Sequence, residues 1–240
     1  VVNICPTSDA LKHLGAGFSS LVFDICQEGQ LTSARQELLD KLGPRRLDAL
    51  INNAGSADMA PLLRMPLEDF RKQLNTLVVG QLAVIQHFYD LLLPPGGSGS
   101  TGKIVNISSV SGVQAHTYFG AYVAGKHALE GLSKCLRKEL ERYKIPVVVV
   151  APSNIKTPIW SKQTETAALR YQETEYYDSL LGLLRFINES LLNRAMTTEE
   201  FANAFYEILK LPNPAERYTV MKATSRRLPF VPARVRYFAG

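Results

Sequence analysis

Tyr122 and Lys126 close the stretch YFGAYVAGK, residues 118–126, and stand four residues apart. On a helix that interval stacks two side chains on one face, one turn apart. The pairing has a definite chemical use. A phenol ionises at about pH 10, and a neighbouring ammonium favours the phenolate and brings proton transfer toward physiological pH. Tyr118 lacks the one-turn relation to Lys126 and reads as a packing residue or a pocket wall. Taken alone, Tyr122 and Lys126 are also what an ordinary aromatic near a surface lysine would give. Other polar residues sharpen the reading, because each group follows an apolar run. Asn52-Asn53-Ala54-Gly55 closes LDALI, Ser108-Ser109 closes KIVNI with Gly112 just beyond, and Pro152 and Thr157 follow VVVVA. Asn75 sits inside a long periodic segment.

Polar groups at the ends of several strands converge only if the strands run side by side, and the chain has that layout. Strands are expected over residues 1–5, 18–25, 47–52, 103–108, 145–151 and 217–221. Helices are expected over 7–14, 31–42, 67–93, 122–143 and 197–209. Pro94-Pro95 and the loop GGSGSTG punctuate the middle of the chain. In IPVVVVA the apolar residues are consecutive, which marks a strand covered on both faces, as in a parallel sheet. Thr197 and Glu200 have the spacing of a capping box. The alternation predicts one α/β domain over residues 1–240, doubly wound and Rossmann-like, with a parallel sheet between two helical layers. Ligands of such sheets bind beyond the carboxyl ends of the strands, where the polar residues above fall.

A chain of 240 residues with 46% hydrophobic content suits one domain with a sizeable core. The net charge of +5 is modest, compatible with a phosphate-bearing ligand or an anionic membrane surface without requiring either. No zinc-finger, basic-helix or RNA-binding signature points to nucleic acid. Cys5, Cys26 and Cys135 show no CxxC spacing and no histidine beside them, so neither a disulfide framework nor a metal site is expected. A reduced cytoplasmic setting is the expectation. No apolar run approaches the roughly 18 residues of a membrane span.

The ordered motifs resemble the short-chain dehydrogenase/reductase family in its classical form, over about residues 1–225. NNAG at 52–55 resembles its strand-four motif, NISSVSG at 106–112 its serine motif, and Tyr122-x-x-x-Lys126 its catalytic motif. Ser109 precedes Tyr122 by the family's usual thirteen residues. FRKQLNTLVVG resembles the segment of the catalytic asparagine, and VVVVAPSNIKTPIW a Pro-Gly-x-x-x-Thr segment with Ser153 in place of glycine. The resemblance implies an NAD(P)-dependent oxidoreductase interconverting an alcohol and a carbonyl. In it Tyr122 transfers the proton, and Lys126 tunes it and holds the nicotinamide ribose. Ser109 orients the substrate oxygen, and Asn75 holds a relay water. It further implies cofactor contacts at Asp24, Asn52, Ala54, Gly55, Pro152, Ile155 and Thr157, besides Tyr122 and Lys126. Several of these have plainer rivals: a turn for NNAG with Asn52 as a structural member, a surface loop for Asp24, and a helix N-cap for Thr157.

One family element is missing. The family opens with a strand, a Thr-Gly-x-x-x-Gly-x-Gly turn and a helix, whose glycines let the chain approach a pyrophosphate. Residues 1–5 instead resemble the family's second strand. The family's sheet order is 3-2-1-4-5-6-7, so the first, central strand is expected to be absent, leaving a gap or a substitute between the strands near Val1 and Leu47. An incomplete chain is the favoured explanation. The alternative is a degenerate, noncatalytic scaffold or partner subunit. Cys5-Pro6-Thr7 offers no carboxylate at the end of the second strand, which favours NADP(H) over NAD(H).

Residues 158–195 occupy the family's substrate-lid position. Trp160, Leu169, Tyr171, Tyr176, Tyr177, Leu180, Leu184 and Phe186 there suit a bulky apolar alcohol or ketone, in the manner of the retinol and hydroxysteroid dehydrogenase branch. The tail carries Arg217, Lys222, Arg226, Arg227, Arg234 and Arg236 among Phe230, Val231, Val235, Tyr237 and Phe238. It reads as a solvated face, with peripheral contact to an anionic membrane as the alternative. The helices at 67–93 and 122–143 resemble those that pair in family homodimers and homotetramers.

Overall fold

The computed structural model describes residues 2–4, 19–97, 99–157, 159–222 and 236–238; for 2–4, 19, 161–165 and 236–238 only the backbone is described. Strands β1 (Val2–Ile4) and β2 (Ser19–Leu21) form a parallel pair. A second, five-stranded sheet has the order β3 (Ala49–Asn52), β4 (Lys103–Ile107), β5 (Val147–Pro152), β6 (Arg217–Val220), β7 (Arg236–Phe238). Every pairing in it is parallel. Helices α1 (Glu28–Leu42), α2 (Leu67–Leu74), α3 (Gly80–Phe88), α4 (Gly120–Glu139) and α7 (Thr198–Lys210) fill the connections. The lid is two helices, α5 (Ile159–Arg170) and α6 (Tyr177–Asn193). The helix expected over residues 7–14 lies outside the described residues.

The layers follow from the strand pattern. In β4, Ile104 faces a core shared with Leu31 and Leu38 of α1, Val84 and Phe88 of α3, and Leu136 of α4. Its neighbours Val105 and Ile107 face the opposite side, where Ala204 and Ile208 of α7 pack with Val148, Val150 and Val220. Successive strand residues point to opposite faces, so this alternation is the three-layer sandwich. Val147–Ala151 of β5 are all buried, as consecutive valines covered on both sides require. Thr197 caps α7 with both halves of the capping box formed: its hydroxyl accepts from Glu200 N–H at 3.1 Å, and the Glu200 carboxylate accepts from Thr197 N–H at 2.7 Å.

Among the described residues no strand joins β1 to β3, so the sheet is parted where the central strand was expected. The opening shows in the side chains. Leu50 and Asn52 face α1 and α3, and Ile51 between them is 41% exposed, as is Val22 at 56%.

Two expectations are corrected. Residues 67–93 are not one regular helix: a π turn at Asn75–Val79 interrupts it and a 3-10 turn at Tyr89–Leu92 ends it. Arg217 does not belong to a solvated basic face. It begins β6, its side chain is 13% exposed, and it pairs with Glu130 at 3.0 Å. Arg226, Arg227, Phe230, Val231, Arg234 and Val235 lie outside the described residues.

Candidate active site

β4 ends at Ile107, and Ser108 continues the ladder by donating its N–H to Val150 O at 2.8 Å. The chain then turns through Val110–Gly112, where Ser109 caps the turn by accepting the Ser111 N–H on its hydroxyl at 3.1 Å. α4 begins eight residues after that turn and returns over the end of the sheet, bringing Tyr122 back onto Ser109. Burial pushes the Tyr122 phenol up, and the neighbouring Ser109 side chain opposes that rise. The Lys126 ammonium stands 5.7 Å from the centre of the Tyr122 ring and donates to Ile107 O at 2.6 Å. Ser109, Tyr122 and Lys126 therefore converge at the carboxyl end of β4.

Lys126 is only 5% exposed. Burial lowers its pKa from 10.5 to about 8, against an opposing pull from the Glu130 carboxylate. Its charge is thus poised to titrate just above neutrality, and its position over the ring face leaves burial as the main influence on Tyr122. An ammonium has three donors, and Ile107 takes one. Two remain at the strand ends, a donor set that fits ribose hydroxyls.

Asn75 opens the π turn, whose widened ring sends the Gly80 N–H back to Asn75 O. Such turns inside α-helices recur at functional sites. Leu77 of this turn packs against Gly125, one residue before Lys126, where an added Cβ would lie 2.7 Å from its Cδ1. The asparagine segment and the lysine segment are thereby in register.

The remaining candidates divide. Gly55 lies against Leu77 and the Ala54 carbonyl accepts from the buried Gln81 amide, so the NNAG turn is pinned to the π turn. Asn52 is 4% exposed and donates to Asn106 Oδ1 at 2.9 Å, which commits its side chain to joining β3 and β4. Asp24 is exposed and accepts the Cys26 N–H at 2.8 Å, a local turn after β2. Pro152 ends β5, and Ile155 is held by a parallel bridge to Met196 and by the Trp160 indole, which donates to its carbonyl at 3.0 Å. Thr157 follows, and its carbonyl accepts the Trp160 N–H at 3.4 Å. These candidates therefore gather at the ends of β3, β4 and β5, and among the described residues no glycine turn for a pyrophosphate accompanies them.

A buried polar network beneath α4 escaped the sequence reading. Asn106 donates to Ser133 at 2.8 Å, Ser108 donates to Glu130 at 2.8 Å, and Arg217 donates to both Glu130 oxygens at 3.0 Å and to Thr219 at 2.6 Å. The available signal was the interval of two between Asn106 and Ser108 in an apolar strand, which puts both under the helix.

Beside the site lies an apolar cluster. Met59, Ala60 and Phe119 pack with Ala167, Tyr171, Leu180, Leu184 and Ile187 of the lid, and Tyr122 borders this cluster. Phe119 meets both the Tyr122 and Trp160 rings edge-on. Tyr118 holds a left-handed backbone, φ 65°, accepts the Ala60 N–H on its carbonyl, and meets Tyr176 edge-on at 6.2 Å. Arg64–Glu175 and Arg170–Asp69 ion pairs fasten the same end of the lid to the body.

Comparison with known proteins gives this arrangement its context. The family model for short chain dehydrogenase matches residues 5–168. The NADPH-dependent 3-dehydrocapnine reductase of Ornithobacterium rhinotracheale is 31% identical over 203 residues, covering 85% of this chain and 71% of that protein. The 3-ketodihydrosphingosine reductase of Bacteroides thetaiotaomicron is 30% identical over 200 residues, covering 83% and 71% respectively. The crystal structure of a short-chain dehydrogenase from Streptomyces avermitilis superposes with a TM-score of 0.73 at 24% identity, over 91% of this chain and 77% of that one. Fold, site and kinship define an NAD(P)-dependent oxidoreductase. The chain belongs to the short-chain dehydrogenase family.

Proposed function

We propose that the protein interconverts a bulky apolar ketone and its secondary alcohol with NADP(H). The observation that carries this reading is the placement of Tyr122 at the edge of the apolar lid cluster with Ser109 and Lys126 beside it. Ser109 donates to the substrate oxygen and holds it at Tyr122. Tyr122 gives the proton to that oxygen in reduction and takes it in oxidation. Lys126, over the Tyr122 ring face, would hold the ribose with its remaining donors. Asn75, set by the π turn, supports the proton path behind Lys126. The nicotinamide supplies or accepts the hydride. Gly55, Ala54, Asn52, Pro152, Ile155 and Thr157 would hold the nicotinamide half of the bound cofactor, and Asp24 the adenine half.

The preference for NADP(H) draws on Cys5-Pro6-Thr7 and on the NADPH-dependent relative. A ketone on an apolar body draws on the lid and on the relative named a 3-ketodihydrosphingosine reductase. The retinol and hydroxysteroid branch is one member of that broader class. A homodimer or homotetramer through α2–α3 and α4, and a cytoplasmic setting with peripheral membrane contact, complete the proposal. Among the described residues no helix is long and apolar enough to cross a membrane.

A panel of ketones tests the reading. With NADPH, the full chain should reduce long-chain and polycyclic ketones with higher kcat/KM than small polar ones, and NADH should serve less well. Faster turnover of small sugars would refute the preference for an apolar substrate. A noncatalytic partner subunit is the second reading. A folded full chain that binds neither nucleotide would support it.

A further inference from the structure

Granting the proposed reaction, we infer that Glu130 is a positioning residue for it: its carboxylate locks the serine turn of residues 108–112 to α4 and keeps a negative charge one turn from Lys126. Glu130 is 5% exposed and lies four residues beyond Lys126. Burying a carboxylate and a guanidinium together gives little stability over apolar residues of the same volume, so the pair calls for another reason. The geometry supplies one. Ser108 and Ser109 are consecutive in extended chain, so they point to opposite sides. Ser108 points under α4, where its hydroxyl donates to Glu130 at 2.8 Å. Ser109 points to Tyr122. Anchoring the first serine therefore fixes the direction of the second. Gly112 closes the turn against the same carboxylate; an added Cβ would lie 2.5 Å from Ser108 Oγ and 2.8 Å from Glu130 Oε1. The far side of the carboxylate is held by Arg217 on β6 at 3.0 Å.

The same carboxylate acts on Lys126. Its charge opposes the fall that burial imposes on the ammonium. The other ionisable groups around it are Tyr122 on α4 and Arg217 on β6, across Glu130. β4 presents Ile107 O, the serine turn presents the Ser108 and Ser109 hydroxyls, and the π turn packs the apolar Leu77 against Gly125 beside it. Glu130 is thus the group that sustains the Lys126 charge.

The experiment compares the full chain with Glu130→Gln, Glu130→Asp and Ser108→Ala, with NADPH and a ketone that the wild type reduces. Glu130→Gln should lower kcat by about tenfold and move the alkaline limb of the pH–rate profile down by about one pH unit, because Lys126 loses its charge sooner. Glu130→Asp keeps the charge but withdraws it from Ser108, so kcat should fall with the limb in place. Ser108→Ala should do the same, and the Ser108→Ala/Glu130→Asp double variant should be no worse than either single variant. Should Glu130→Gln fail to fold around an unpaired Arg217, the aspartate and alanine variants carry the test. Wild-type kcat in Ser108→Ala and Glu130→Asp would overturn the inference. So would a Lys126 ammonium whose titration, followed by NMR without turnover, Glu130→Gln leaves in place. A wild-type chain that binds NADPH but reduces no ketone would instead overturn the functional reading on which the inference rests.

Discussion

Replacing Lys126 by methionine should make the protein more stable and less active, and the size of the gain follows from its burial. The ammonium is 5% exposed and its pKa falls from 10.5 to about 8. Each tenfold displacement corresponds to about 1.4 kcal/mol, so holding this charge costs the folded state about 3 kcal/mol at neutral pH. Methionine has similar length and no charge, but it forfeits the 2.6 Å charge-assisted bond to Ile107 O, worth about 2 kcal/mol. The net gain is about 1 kcal/mol at pH 7, or about 0.5 M in urea midpoint for an m-value of about 2 kcal/mol/M. The pH dependence fixes the cause. The folded pKa lies below the unfolded one, so the unfolded chain binds more protons between them, and wild-type stability rises as pH climbs from about 8 toward 10.5. The advantage of methionine should therefore be full below pH 8 and gone by 10.5. Urea unfolding of both proteins without nucleotide, between pH 7 and 10, reads it directly. The difference between them cancels the other groups that titrate there. A methionine variant less stable than wild type at pH 7, or a difference that stays flat across the range, would refute the reasoning.

Other sites give further expectations. Gly112→Ala drives a methyl into Ser108 and Glu130 and should cost about 1–3 kcal/mol with a loss of turnover, read by urea midpoint and steady-state rate. Thr197→Ala removes the α7 cap and should cost about 1 kcal/mol, read by urea midpoint. Tyr118→Gly relieves a left-handed backbone of φ 65° but deletes the ring against Tyr176. It should raise KM for bulky ketones by about tenfold while leaving small ketones unaffected.

The legible part of this fold was the part written locally. Four consecutive valines announced a strand buried on both faces, and Thr197 and Glu200 announced a helix start three residues apart. The polar groups after strands were legible for the same reason: in a parallel sheet, strand ends share one edge. Glu130 was not legible, because four residues beyond Lys126 on an amphipathic helix a glutamate reads as solvated. Its partner Arg217 lies 87 residues away and sits among tail arginines that looked like a basic surface. The π turn at Asn75 was hidden because apolar periodicity runs through it. The left-handed Tyr118 was hidden because nothing in its identity signals a positive φ. The parted sheet was readable from a missing glycine turn, an inference that needed the family pattern rather than any local propensity.

The central claim is that Tyr122 moves the proton at a site it shares with Ser109 and Lys126. The direct measurement is single-turnover oxidation of NADPH by a bulky ketone, wild type against Tyr122→Phe, with nucleotide binding measured for both. Phenylalanine keeps the ring packing against Phe119 and removes only the hydroxyl. Folding and nucleotide affinity should be unchanged and the rate lower by at least about a hundredfold. A variant that turns over at the wild-type rate would contradict that claim.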